Sequence, residues 1–331
     1  MGAGHETLCY PFRLAGGILG GTLTWLLPDE EPNRVPDWVT HLGTAYVAAR
    51  TTHVSAVRPL LLGALLPDVT HFSILLIDYL GWPAIPTFAY LAPFHSLLIA
   101  SLLAGAIALL SERSWPAFGL IEAGAAFHLV LDDLEGAIGC GSTTFYPFYF
   151  GKPLNLWAAD GAFAGLLLLV GALGCGAALV SRARHTWLDG DWSPRVNRRR
   201  ALCAALLVAG ALALPWLTRQ VLVERNAYYL AFFADPPAWQ GATVELCFSE
   251  IVAADPPVVE EFDARLPIAA DSEGWPGDEQ PLAVGDWVSL RGVYRDGALH
   301  PTLLVHHQKS SDLLLSALAG VILVLLWLPP W

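Results

Sequence analysis

His128 and Asp132 stand four residues apart in Phe127-His128-Leu129-Val130-Leu131-Asp132-Asp133, near the end of a long apolar run. On a helix this spacing stacks an imidazole nitrogen and a carboxylate oxygen one turn apart on one face, where both can converge on a single cation. An ionisable side chain inside a membrane span costs several kcal/mol unless it is paired or hydrated, so two together need a reason. Three other places carry the same chemistry. His41 follows the helix start Pro36-Asp37-Trp38-Val39-Thr40, and Asp68 and His71 lie three apart in Leu66-Pro67-Asp68-Val69-Thr70-His71. His95 opens another apolar run after Pro93-Phe94. The candidate metal ligands are therefore His41, Asp68, His95, His128 and Asp132, and the candidate catalytic residues are Asp68 and His71. Imidazoles and carboxylates together suit Zn²⁺, with Mn²⁺ compatible through the oxygen ligands. Taken singly, each residue has a plainer reading: a helix-end cap, a headgroup contact, or an intrahelical His128–Asp132 ion pair.

The elements that must position these residues are mostly apolar. The chain has 331 residues, 55% hydrophobic and only 15% charged, against about 25% charged in soluble domains. Apolar runs cover residues 12–27, a helix opening at Pro36, 59–82, the stretch from Pro93 to Leu110, 115–134, 157–180, 201–223 and 313–328. This pattern predicts an all-α polytopic membrane bundle of about eight transmembrane helices. Pro67 interrupts the third run, and broken helices at membrane depth are tolerated where they line a site. Residues 135–155, rich in Gly and aromatics, read as a lid over the end of the fifth helix. Asp160, at the start of the sixth run, is either an extra ligand or an ordinary interfacial carboxylate.

Arg182, Arg184, Arg195, Arg198, Arg199 and Arg200 crowd one connector, which the positive-inside rule assigns to the cytoplasm. Counting outward puts both termini in the cytoplasm and His41, His95, His128 and Asp132 near the outer helix ends, with Asp68 and His71 somewhat deeper. The expected location is the inner or plasma membrane.

Between the last two runs the period changes from helical to alternating. Val244–Phe248, parts of 258–268 and 284–293, and Arg295-Asp296-Gly297 leading into 299–306 read as short strands with a hairpin turn. The domains expected are 1–223, a membrane domain; 224–311, a small extracytoplasmic β domain with an OB-like hairpin; and 312–331, a last membrane helix. The net charge of −12 collects in the β segment, which argues against a nucleic-acid partner. Five scattered cysteines show no zinc-ribbon spacing.

At the site motifs the chain resembles the YdjM-like inner-membrane metal-dependent hydrolases, related to zinc phospholipase C and P1 nuclease. The matching elements are Thr40-His41 with Gly43, Gly63-Ala64-Leu65-Leu66-Pro67-Asp68 with His71, Phe94-His95-Ser96, and His128-Leu129-Val130-Leu131-Asp132 with Leu134 and Tyr146-Pro147. They span about residues 36 to 150, less than half the chain. Thr70 stands where the family has a second aspartate, and Tyr90-Leu91-Ala92-Pro93-Phe94 replaces a His-Arg-Gly-x-Thr lead.

The expected function is metal-dependent hydrolysis of a phosphoester in a lipid-like or amphiphilic substrate, at the extracytoplasmic membrane boundary. The alternative is a membrane scaffold or assembly protein, with a structural or vestigial metal site and an outer domain that docks a protein partner.

Overall fold

A computed structural model describes residues 38–54, 56–70, 83–135, 143–149, 161–183, 195–225, 230–262, 264–269, 282–307 and 309–327. The expected first span (12–27), His71, Asp160 and most of the expected lid lie outside the described residues.

Helix α1 (Trp38–Thr51) is buried along nearly its whole length, which suits its mixture of His41, Thr40 and Thr44 with small apolar residues. The Thr44 hydroxyl is satisfied within the helix, donating to the Thr40 carbonyl at 2.5 Å. α2 (Val57–Gly63) is short, because Gly63 and Pro67 interrupt it, and a 3₁₀ turn (Pro67–Thr70) follows, carrying Asp68 in its first turn. Next come α3 (Ala84–Leu91), a second 3₁₀ turn (Ala92–Phe94) and α4 (Leu97–Leu109). Segments Ile85–Phe94 and Leu97–Leu109 meet at a 60° bend, and His95 occupies that bend. Ser96 caps α4 by accepting from the Ile99 amide at 3.3 Å.

The longest helices are α5 (Ser114–Glu135), α6 (Gly161–Ala183) and α7 (Arg198–Arg225). A short α8 (Leu230–Ala234) leads into the strands, and α9 (Lys309–Trp327) follows them. At the far end of α4, Arg200 donates to the Leu109 and Ser111 carbonyls at 3.4 and 2.6 Å. The start of α7 thereby caps the end of α4, and the two helices run in opposite directions.

Glycine sets the closest helix crossings. A Cβ on Gly43 of α1 would lie 1.7 Å from the Gly171 carbonyl oxygen of α6, and one on Gly63 would lie 1.9 Å from the Ile121 carbonyl oxygen of α5. No side chain fits at either place, so the backbones of α1 and α6, and of α2 and α5, meet directly.

The bundle of about eight transmembrane helices predicted from the sequence is corrected here. Among the described residues, two helices are long and apolar enough to cross a membrane, Ser114–Asp132 and Arg198–Arg225, or three spans if the bent pair counts as one. Several of the other apolar runs form shorter pieces. α1 has 14 residues, about 21 Å of helix against a hydrocarbon layer of about 30 Å, and α2 has seven. Leu166–Ser181 in α6 and Leu315–Trp327 in α9 are shorter apolar stretches among the described residues. Proline, glycine and the buried polar residues of α1 break runs that average hydropathy joins together.

The β segment forms one curled antiparallel sheet, in the order β3-β2-β1-β4-β5. Its strands are β1 (Thr243–Ala254), β2 (Pro257–Glu261), β3 (Ala264–Pro267), β4 (Trp287–Arg295) and β5 (Ala298–His307). Asp296 and Gly297, both at positive φ, make the two-residue turn between β4 and β5. A single parallel bridge, Ile268 to Leu299, draws the two edges together, so the sheet is a half-barrel rather than a free-standing OB-like barrel.

Residues Pro32–Trp331 form one compact unit. Val244, Leu246, Val288 and Leu290 of the sheet share a core with Ala89 and Phe94, Leu222 of α7, and Phe232 and Phe233 of α8. Phe262, at the β2–β3 turn, meets Phe88 of α3 and Phe233 edge-on, with centroids 5.2 and 5.3 Å apart. The sheet therefore stands on the helices that lead to His95.

If the α1–α6 crossing depends on direct backbone contact, Gly43→Val will lower stability in detergent by about 3 kcal/mol or more. Gly176→Ala, with open space around it, will be neutral or stabilising by up to ~1 kcal/mol. Thermal unfolding of the purified variants reads both.

Candidate functional site

Four separate pieces of backbone deliver five polar side chains to one place. His41 comes from the first turn of α1, Asp68 from the 3₁₀ turn after Pro67, His95 from the α3–α4 bend, and His128 and Asp132 from one face of α5. His41 and His128 are fully buried, while the side chains of His95, Asp132 and Asp68 keep 29%, 23% and 15% of their exposure. The cluster thus has a closed floor and one partly open side, at His95.

The atoms converge. His95 Nε2 lies 2.6 Å from Asp132 Oδ2, 3.6 Å from Asp68 Oδ1 and 3.1 Å from His128 Nε2. His128 Nε2 lies 3.1 Å from Asp132 Oδ2 and 3.5 Å from Asp68 Oδ1. Four donors held tetrahedrally about a zinc-sized ion, at ~2.0–2.1 Å, stand about 3.4 Å from one another. The separations of His95 Nε2 and His128 Nε2 from each other and from Asp68 Oδ1 and Asp132 Oδ2, 2.6 to 3.6 Å, bracket that value. Two ligand groupings arise, His41–His128–Asp132 and Asp68–His95–His128, with His128 common to both.

The surrounding groups fix the donors. His128 Nδ1 is 2.7 Å from the Ala64 carbonyl oxygen. A carbonyl has no proton to give, so Nδ1 must donate, and in the neutral ring Nε2 then carries a lone pair. That lone pair faces two carboxylate oxygens and another imidazole nitrogen, an arrangement that requires either a second proton or a cation between them. The Trp38 indole donates to Asp68 Oδ2 at 3.0 Å, leaving Oδ1 to face the histidines. Thr143 donates to the carbonyls of Ala92 and His95, at 2.7 and 3.0 Å, and anchors residues 143–149 beside the His95 bend.

His41 is the odd member. Its ring stacks on His128, with centroids 3.8 Å apart and planes at 26°. Nε2 approaches Asp132 Oδ1 at 3.1 Å, yet both ring nitrogens are buried without a hydrogen bond of acceptable geometry. The contact lies off the direction in which an N–H would point, so it is a charge contact and not a hydrogen bond. A buried polar nitrogen left so costs about 1–3 kcal/mol.

Of the residues singled out from the sequence, His41, Asp68, His95, His128 and Asp132 are brought together, and His71 lies outside the described residues. Sequence reasoning missed the two groups that orient the donors, Trp38 and the Ala64 carbonyl. In the sequence Trp38 stands only as part of a helix start. A backbone carbonyl leaves no sequence signal.

No family model, curated protein or solved structure matches the chain significantly.

If the His41 nitrogens contribute nothing to folding, His41→Phe will keep the stack on His128 and remove two unsatisfied buried atoms. In chelator-treated protein this substitution will raise stability by about 1 kcal/mol. A clear loss in thermal unfolding would mean that those nitrogens support the fold.

Proposed function

We propose that this protein is a membrane-embedded, metal-dependent hydrolase acting on a phosphoester in a lipid-like substrate. The carrying observation is that Asp68 Oδ1 and Asp132 Oδ2 each approach both His95 Nε2 and His128 Nε2 at ligand-to-ligand spacing. The donor set fits a divalent cation. Two carboxylates share a small, mostly buried volume with imidazoles, and a dication balances the two negative charges there. Zn²⁺ suits the nitrogen-rich set best, and Mn²⁺ is the oxygen-tolerant alternative. The resemblance of these motifs to the YdjM-like hydrolases agrees with this reading.

Asp68, His95, His128 and Asp132 would hold the ion, and His41 would act on the other oxygen of Asp132 or complete a second site with His128 and Asp132. A bound dication supplies Lewis acidity toward a phosphoryl group and toward water. The chain's own contributions are orientation and proton handling. Ala64 holds the His128 tautomer through its carbonyl, and Trp38 keeps Asp68 turned inward. His95, the most exposed member, stands where a substrate would approach. Asp68 is positioned either to ligate or to accept a proton from water.

The membrane setting is supported by helix length. Ser114–Asp132 has 19 residues, about 28 Å of helix, close to the ~30 Å hydrocarbon thickness. A span of that length ends at Asp132, so the cluster lies at a headgroup level. Arg50 ends α1, Arg58 and Arg113 lie at or next to the starts of α2 and α5, and Arg198, Arg199 and Arg200 begin α7, all at helix ends away from the cluster. By the positive-inside rule those ends are cytoplasmic, and the cluster and the sheet are extracytoplasmic.

A second reading, a scaffold with a structural metal site, is favoured by one observation. Leu91 and Phe94, where the hydrolase family has a polar lead into the histidine, are buried here, and Tyr90 packs edge-on to Phe94. Those positions serve packing, so catalysis would have to proceed without the groups the family uses there.

Metal content and turnover, measured on the same preparation, test the proposal. The purified protein is expected to hold a divalent ion and to hydrolyse a phosphodiester or a phospholipid. His128→Ala and Asp132→Ala should lose the ion and lower turnover about 10²–10³-fold. Full metal retention in the double variant would overturn the site. Full metal with no turnover across a lipid and phosphodiester panel would favour the scaffold.

A further inference from the structure

The segment 143–149 has an unusual division of labour. Tyr146 is buried, and its hydroxyl bonds with the Thr218 hydroxyl on α7. Its neighbours Phe145, Phe148 and Tyr149 are 42%, 88% and 50% exposed. Leaving three aromatic rings in water costs stability, while the membrane–water boundary suits such side chains. The segment is also tied to the site, since Thr143 bonds to the His95 carbonyl and the Thr144 carbonyl accepts from the Leu97 amide at 3.0 Å.

An independent feature marks the level at which these rings sit. On α7 the exposed apolar residues Leu202, Leu206, Leu212, Trp216 and Leu217 run up to the level at which the Arg219 guanidinium lies over the Trp216 ring, 3.9 Å from its centroid, with Val221 exposed just beyond. From Arg200 to Arg219 is 19 residues, about 28 Å of helix, again close to the hydrocarbon thickness of ~30 Å. A Trp–Arg pair at the end of such a face is the arrangement expected at a headgroup boundary, with the tryptophan in the interface and the arginine reaching toward water or phosphate. Thr218, the partner of Tyr146, lies within this pair. The aromatic segment is therefore tied, through Tyr146 and Thr218, to the same turn of α7 that carries Trp216 and Arg219.

We infer that Phe145, Phe148 and Tyr149, with Trp216 and Arg219, form a lipid-contacting surface through which a phospholipid reaches the His/Asp cluster sideways from the bilayer. Its occupant is a membrane phospholipid, with acyl chains against the rings and the phosphate at the level of Arg219 and the cluster. The inference rests on the proposed membrane setting and deepens the substrate class of the proposed hydrolase, but its test does not require turnover.

The full chain is reconstituted in phosphatidylcholine/phosphatidylglycerol vesicles with p-benzoylphenylalanine at position 145, 148 or 149, and in a control at Val284, an exposed position in the chain next to the sheet. After irradiation, mass spectrometry reads phospholipid adducts on the chain. Positions 145, 148 and 149 should carry roughly tenfold more adduct than 284, the ratio that about 1.4 kcal/mol of partitioning produces. Equal adduct at 148 and 284 would overturn the inference, even if the protein hydrolyses phosphoesters. Strong adducts with no turnover would leave this surface standing and count against the hydrolase. Phe148→Ser and Tyr149→Ser provide a second readout: the pair should slow turnover of long-chain phospholipid in vesicles and leave metal content and turnover of bis-p-nitrophenyl phosphate unchanged. Equal slowing of both substrates would contradict a lipid-contacting role.

Discussion

Two carboxylates and three imidazoles within a few ångströms form the constraint on which the rest of this fold depends. Asp68 and Asp132 face the same histidines in a space only partly open to water. With neutral histidines the cluster carries two uncompensated negative charges, which a low-dielectric surrounding penalises heavily. Either a second proton on His128, whose Nε2 faces both carboxylates while Nδ1 donates to the Ala64 carbonyl, or a cation between the donors offsets them. The proposed divalent cation would balance both negative charges at once.

The architecture reads as a means of holding these donors still. α1, the 3₁₀ turn, the α3–α4 bend and α5 each bring one part of the cluster, and direct backbone contact at Gly43 and Gly63 locks α1 to α6 and α2 to α5. The bend that carries His95 is secured from two sides. Thr143 bonds to its carbonyls, and the sheet packs Phe262 against Phe88 one helix upstream. The sheet is thus structurally continuous with the site through the core shared by Val244, Leu290, Phe94 and Phe232. Its role includes support for the helices beside His95, whatever else its outer face contacts.

Much of the candidate site was legible in the sequence, because the signal was local. The four-residue spacing of His128 and Asp132, and Asp68 directly after Pro67, follow from helix period and proline chemistry alone. The hairpin at Asp296-Gly297 was legible for the same reason. The membrane architecture was not. Apolar runs with glycine, proline and buried polar residues average to the hydropathy of spans, yet α1, α2 and α4 are too short to cross alone, and among the described residues Ser114–Asp132 and Arg198–Arg225 are the single helices with the length and composition. Nor could the sequence reveal that Trp38 and the Ala64 carbonyl orient Asp68 and His128, because those contacts join residues 30 and 64 positions apart.

X-ray absorption at the metal edge of the zinc-loaded, membrane-reconstituted protein tests the central claim most directly. The account predicts a first shell of imidazole nitrogens and carboxylate oxygens at about 2.0–2.2 Å, with outer-shell scattering characteristic of histidine rings. A protein that takes up no stoichiometric divalent ion, or a first shell without imidazole, would contradict it.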